Sequence, residues 1–220
     1  MNTPRRSLRA IALAAAGTLA LLAADLGTKS WASNTLSEER AVTPDTCVPG
    51  RLQRAPLPSI VVIEGYLEMQ YAENCGAAFG IGNEWSQTTR RAVFIPAAVL
   101  AAFALFWMFW RGSGGPLFAW SVPFVVSGAV GNLVDRIRYG YVVDFIRFHV
   151  YDEFEYPTFN VADIAIVVGV ALLVLDGFRK GGDGKASAKA SEDEPAKPAK
   201  GAKKKKAKRA SDAPAETAQE

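Results

Sequence analysis

One histidine, His149, and two cysteines, Cys47 and Cys75, are all that this chain of 220 residues holds of those types. A zinc finger needs four such ligands and a disulfide framework needs several pairs, so both are excluded. A cleft built from histidine ligands is excluded too, and no His-Glu-x-x-His motif occurs. A Ser-His-Asp site could use only His149. A thiol site would need Cys47 or Cys75 with that same histidine. Charge is also scarce over most of the chain. The last 41 residues hold 11 of the 25 Lys and Arg and 7 of the 22 Asp and Glu. The remaining 179 residues are therefore charge-poor for a soluble domain. The formal +3 belongs to the tail, because residues 1–179 carry about −1. The basic balance gives no reason to expect a nucleic-acid partner.

Long apolar runs take the place of charge. Residues 92–110 give 19 without a charge and 113–134 give 22. Residues 10–24 give 15, with apolar character resuming beyond Asp25 and Lys29, and 156–175 give 20 with Asp163 as the single charge. A span needs about 20 mostly apolar residues. The sequence therefore predicts an all-α membrane protein with four helices at about 9–32, 92–110, 116–136 and 158–178. Pro96 and Pro123 are tolerable inside spans. Trp107, Trp110 and Trp120 suit interfacial positions. The first run also fits a signal peptide, with Arg5, Arg6 and Arg9 before it. No clean small-residue cleavage site follows it, and three further spans do. Most Lys and Arg lie at the termini and the Arg111 turn, which predicts a multi-pass protein with both termini cytoplasmic. Two external segments follow, about 33–91 and 137–157. In the first, residues 60–63 and 66–71 have strand character, with Leu67 and Met69 alternating against Glu68 and Gln70. Two domains are expected: a membrane domain, 1–179, and a disordered Lys- and Ala-rich tail, 180–220. Both cysteines fall outside the cytoplasm, where oxidation is possible, and a disulfide between them stays open.

Hydrocarbon penalises charge, so ionisable groups in or beside the spans are the first functional candidates. Asp25 and Lys29 share one face of the first helix at i,i+4 and could be a helix-end ion pair. Gly128, Gly131, Asn132, Asp135 and Arg136 recur at helical spacing on the third, where glycines allow close packing. Asp144 interrupts the apolar run Val142-Val143-Asp144-Phe145-Ile146 as a turn acid or something more. Asp163 opens the fourth span, where the helix dipole favours an acid. Two acids embedded in apolar sequence suggest an aspartyl pair. Peptide hydrolysis needs a base for water and a proton for the leaving amine, and two close carboxylates sharing one proton supply both. Buried acids would also serve a small proton-coupled transporter or a scaffold subunit.

Four clusters, in order, resemble the motifs of lipoprotein signal peptidase (signal peptidase II). They are Asp25-Leu26-Gly27-Thr28-Lys29; Asn74-Cys75-Gly76-Ala77-Ala78-Phe79-Gly80; Gly131-Asn132-Leu133-Val134-Asp135-Arg136 with Gly140-Tyr141-Val142-Val143-Asp144-Phe145; and Phe159-Asn160-Val161-Ala162-Asp163. The resemblance covers about residues 9–178. It implies an aspartyl endopeptidase of the bacterial inner membrane with an external β-cradle and its active site near the outer face. The implied reaction removes the signal peptide from diacylglyceryl-modified prolipoproteins, before the lipidated cysteine. Carried over by motif, Asp144 and Asp163 are the catalytic pair. Asn74, Gly76, Asn132, Arg136 and Asn160 shape the site or hold substrate, and Asp25, Lys29, Gly131 and Asp135 support it. No metal or cofactor is expected. The partners are the prolipoproteins and membrane lipid, with no nucleic acid, and the enzyme is expected to be a monomer. The stretch 34–58 is longer than the family needs, Cys75 occupies a variable motif position, and the lysine-rich tail lies outside the pattern.

Overall fold

The computed structural model describes residues 6–40, 47, 52–77 and 81–192, for 180–192 the backbone only. Four helices dominate it: α1 (Leu8–Thr35), α2 (Gln87–Trp110), α3 (Pro116–Arg138) and α4 (Val161–Glu192). Each contains a stretch long and apolar enough to cross a bilayer, in α4 the part Val161–Arg179. Their outward faces carry exposed Leu13, Leu19, Val99, Leu100, Phe103 and Val167, as expected where lipid is the solvent. Helix ends follow local chemistry. The Ser7 hydroxyl accepts from the Ala10 N–H, and the Ser86 hydroxyl from the Thr89 N–H. Pro116 opens α3, where a missing N–H costs nothing. The Asp176 carboxylate of α4 accepts from the N–H groups of Gly115 and Phe118, capping α3 from a different helix. Arg6 donates to the carbonyls of Ser113, Gly114 and Gly115 and lies over the Phe109 ring, fixing the same turn to the start of α1.

Six strands sit at the opposite end of the bundle, against the C-terminal ends of α1 and α3. β1 (Ser37–Glu39) and β2 (Arg54–Pro56) form an antiparallel pair. β3 (Ile60–Ile63), β4 (Leu67–Asn74), β5 (Val142–Val150) and β6 (Phe154–Glu155) form a four-stranded antiparallel sheet in that order. Register pairs Ala72 with Asp144 and Asn74 with Val142. Ala32, Leu36, Tyr71, Tyr141, Val143 and Phe145 make the core between sheet and helices, joined by a Cys47–Cys75 disulfide.

The small external β-cradle expected beside the four helices is a four-stranded sheet with a nine-residue strand, β5, in its middle. Hydropathy hides β5 because 142–146 reads as a short apolar run, indistinguishable from a helix fragment without its partner strand. The expected alternation in β4 is also absent. Both faces of β4 are partly covered, and β3 is exposed throughout. α2 starts at Gln87 rather than 92, because the Ser86 cap starts the helix in a polar turn that hydropathy does not register. α4 begins at Val161, and its helical backbone runs to Glu192. Lys and Ala are good helix formers and extend a helix already begun. The tail beyond 192 and residues 78–80 of the second motif lie outside the described residues.

Close approach of α3 to α1 and α4 depends on two glycines. A Cβ at Gly128 would meet the Ala162 carbonyl and Ile166, and one at Gly131 would meet the Asp25 carboxylate. Gly131→Ala should cost about 1–3 kcal/mol, as overpacking does in tight cores. Thermal unfolding in detergent reads this out, and an unchanged midpoint would show that α1 and α3 can separate freely.

Candidate active site

The site begins with the way α4 starts. The Asn160 N–H donates to Asp163 Oδ2 (3.1 Å), and the Asp163 N–H donates to Asn160 Oδ1 (3.0 Å). This is a reciprocal cap in which an Asn and an Asp three residues apart satisfy two otherwise orphaned groups. The Ala162 N–H is satisfied from another helix, by Asp25 Oδ1 of α1 (2.8 Å). The fourth span thus starts at a fixed height, and its cap holds Asp163 in one orientation.

Asn160 also reaches the second acid. Its Nδ2 donates to Asp144 Oδ1 at 2.6 Å and faces the Val143 carbonyl at 3.3 Å and Asn132 Oδ1 at 3.2 Å. Asp144 is delivered by β5, whose chain is fixed to α3 through the Val143 N–H and Asp135 Oδ2 (3.1 Å). The Ile146–Phe159 bridge folds the segment after β5 back toward α4. One residue, Asn160, therefore bonds both carboxylates, Asp144 through its side chain and Asp163 through its backbone N–H, although the acids lie 19 positions apart in sequence.

Behind them lies a charged cluster that is almost fully buried. Lys29 Nζ pairs with Asp25 at 2.9 Å and Asp135 at 3.1 Å and donates to Asn132 Oδ1 at 2.8 Å. Asn132 Nδ2 passes the contact on to Asp163 Oδ1 at 2.8 Å. Lys29 and its two carboxylates are each no more than 3% exposed. Three charges so deep are tolerable only because each meets an opposite charge or a hydrogen-bonding group. Arg136 lies across from them. It donates to the carbonyls of Gly76 (2.8 Å) and Asn132 (3.2 Å) and stacks over Phe94. The Gly76 N–H donates to Asn74 Oδ1, which folds the start of the second motif around the site.

Asp144 and Asp163 open on one cavity of about 840 Å³. Asn74, Asn132 and Arg136 line it beside them. Ala98, Ala101, Val125, Ile166 and Val167 supply an apolar wall from α2, α3 and α4. The cavity is thus polar at the sheet end and apolar along the spans, which suits a ligand that is part peptide and part hydrocarbon.

Residues 17–179 match the family model described as signal peptidase (SPase) II. The chain belongs to the signal peptidase II family. Among its relatives, the lipoprotein signal peptidase of Clostridium tetani is 39% identical over 118 residues, covering 53% of this chain and 72% of that one. The lipoprotein signal peptidase of Sphingopyxis alaskensis is 37% identical over 134 residues, covering 60% of this chain and 76% of that one. A bacterial membrane enzyme solved by the in meso method at 2.3 Å resolution shares the fold. Its TM-score is 0.58 at 21% identity, covering 89% of this chain and 98% of that one. Membership in a peptidase family decides between the hydrolase and the proton-coupled transporter or scaffold that the same carboxylates would fit.

Of the residues singled out in the sequence, Asn74, Asn132, Arg136, Asp144 and Asp163 line this cavity, while Lys29 and Asp135 line a second one. Two partners were not legible. Asn160 was expected to shape the site or hold substrate, and its bonds to both carboxylates were not foreseen. Glu73 was not singled out at all. It lines the cavity, and its carboxylate accepts from the Gln53 and Arg54 N–H groups at 2.7 and 2.9 Å, holding Gln53 and Arg54 to β4. No local pattern marks it, because its partners lie about 20 positions away. Asp144 is the electrostatically unusual group. Burial, and then the neighbouring Asp163 charge, push its carboxyl up from 3.8 to about 7, against hydrogen bonds from Asn74 and Asn160 and the Lys29 charge.

Proposed function

We propose that Asp144 and Asp163 are the catalytic pair with which this signal peptidase II removes signal peptides from prolipoproteins. The observation that carries this reading is Asn160, hydrogen-bonded to both carboxyl groups at the mouth of one cavity. Burial leaves the shared proton on Asp144, so Asp163 is the base. It takes a proton from a water, whose oxygen adds to the scissile carbonyl carbon. Asp144 gives its proton to the amine nitrogen as the C–N bond breaks. The proton gained by Asp163 then replaces it, and the pair is restored. Asn132, Asn160 and the Lys29 cluster hold Asp163 in place, and Arg136 with Gly76 positions the loop over the cavity. A thiol mechanism finds no support, since both cysteines are in the disulfide.

The site lies where spans meet sheet, and the apolar wall accepts a signal peptide sideways from the bilayer. The termini are cytoplasmic and the sheet external in this reading, which the oxidised cysteine pair supports. The substrate carries a diacylglyceryl cysteine just after the cleaved bond, and the enzyme works as a monomer beside it. Residues beyond 179 take no part in the chemistry. Incubation of the purified protein with a lipid-modified precursor in detergent, without nucleotide or ion gradient, tests the whole reading. Cleavage before the lipidated cysteine is expected, and an intact precursor beside a folded enzyme refutes it.

A pH dependence follows with a definite sign. The raised Asp144 value means the folded enzyme keeps a proton that the unfolded chain releases near 3.8. Stability from this group is therefore complete below 3.8 and is lost as pH rises through about 7. Activity should fall over the same alkaline range, because the pair loses its one shared proton. kcat/KM should drop by about tenfold per pH unit well above that value. Asp144→Asn should lose less thermal stability than wild type as pH rises from 3.8 to about 7, and the two should run parallel above that. A kcat/KM that stays flat to pH 9 would exclude Asp144 as the proton donor.

A further inference from the structure

A second cavity, of about 450 Å³, lies on the other face of β5. Val142 and Asp144 point to the peptidase cavity, while Tyr141 and Val143 line this one, as alternation along a strand requires. Its floor is the outer ends of α1 and α3, and its roof is the β1–β2 pair. Asn34, Glu39, Arg40, Gln53 and Arg54 contribute part of its rim. Four cations line it, Lys29, Arg40, Arg54 and Arg138, against two acids, Glu39 and Asp135. Lys29 and Asp135 already pair with each other. Arg54 is held by the Ser37 hydroxyl and the Ser33 carbonyl and lies 3.8 Å from Glu39, whose carboxylate is 90% exposed. Asp25 also pairs with Lys29, and the Glu73 carboxylate accepts from the Gln53 and Arg54 N–H groups, so Lys29 and Arg54 are balanced. The guanidinium groups of Arg40 and Arg138 have no partner among the described residues, so the cavity keeps two uncommitted forks. It lies where α1 and α3 end and charge returns to the sequence, which is the level of the lipid headgroups.

We propose that this cavity binds a phosphoryl anion, carried by the headgroup of an anionic phospholipid or free in solution as phosphate. Planar guanidinium forks match the oxygens of a phosphate, and a headgroup-sized volume with two unpaired guanidinium groups selects an anion over a zwitterion. Arg54 is fixed by its own hydrogen bonds, and Arg40 and Arg138 line the same cavity with free forks. The proposal does not rest on the assignment of the catalytic pair.

Binding is measured on the full-length protein in detergent, by native mass spectrometry and thermal shift. The probes are phosphatidylglycerol, phosphatidylcholine and inorganic phosphate. Phosphatidylglycerol should bind saturably and raise the unfolding midpoint, and phosphatidylcholine should do neither. Arg40→Gln with Arg138→Gln changes two exposed side chains and should unfold like wild type without ligand, yet bind about tenfold more weakly or worse. Arg138→Lys, which keeps charge but not the fork, should fall between. Arg91→Gln, an exposed arginine at the outer end of α2 that lines neither cavity, should bind like wild type, as should Asp144→Asn. If inorganic phosphate saturates the site and displaces the lipid, phosphate itself is a ligand. If only the lipid binds, the headgroup is. Equal binding of phosphatidylcholine, full binding by the double variant, equal weakening by Arg91→Gln, or no binding by any probe overturns the proposal.

Discussion

Asp144→Asn and Asp163→Asn should each fold, retain the lipidated precursor and lose at least about a thousandfold in turnover, in keeping with residues that act as a unit. Asparagine keeps the shape at both positions. At 144 its side-chain oxygen can still accept from Asn160, and at 163 it can still accept the Asn160 N–H that closes the cap of α4. What is removed is the ability to hold and release a proton. The double variant should be scarcely slower than either single one, since half a pair already has no acid–base partner. Turnover of purified variants with matched thermal midpoints measures this. Near-normal turnover of either single variant would mean that the two acids are a structural pair and that the chemistry lies elsewhere in the cavity.

Removal of Lys29 should have the largest effect on stability. Its ammonium is the cation between Asp25 and Asp135, and all three are almost fully buried. Lys29→Met leaves two carboxylates in a low-dielectric site without compensation, at a cost of about 3–5 kcal/mol. For a domain of this size that is a fall of about 6–20 °C in the unfolding midpoint. Asp25→Asn and Asp135→Asn should each be milder, because an amide can still accept from the Ala162 or Val143 N–H. Combining Lys29→Met with both Asn changes should recover much of the loss, since a fully neutral cluster has no charge left to strand. A Lys29→Met protein that melts like wild type, or a triple variant worse than the single one, would contradict this account of the cluster.

The sequence by itself determined the solvent of this protein. Apolar runs near bilayer length leave the backbone no option but helices, so four spans were legible, with ends that shifted by a few residues wherever a polar cap lay outside hydrocarbon. It also marked the acids. Asp25, Asp135, Asp144 and Asp163 stand out because charge is costly beside lipid, and four ordered motifs gave them a family. Tertiary structure decided what each acid does. Asp144 and Asp25 look alike in sequence, each an acid within or beside an apolar run. One meets the Lys29 ammonium and the Ala162 N–H and becomes a cap. The other meets Asn160 and a second carboxyl and keeps a proton toward neutral pH. Of the strands, β3 and most of β4 were legible, and the rest were hidden. β1, β2 and β6 have two or three residues each and no strand propensity, and they exist because a partner strand, the Glu73 carboxylate and the Cys47–Cys75 bridge hold them. Periodicity records how a residue meets its solvent, whereas pairing across 20 to 137 positions depends on where the chain returns, and only the folded chain specifies that.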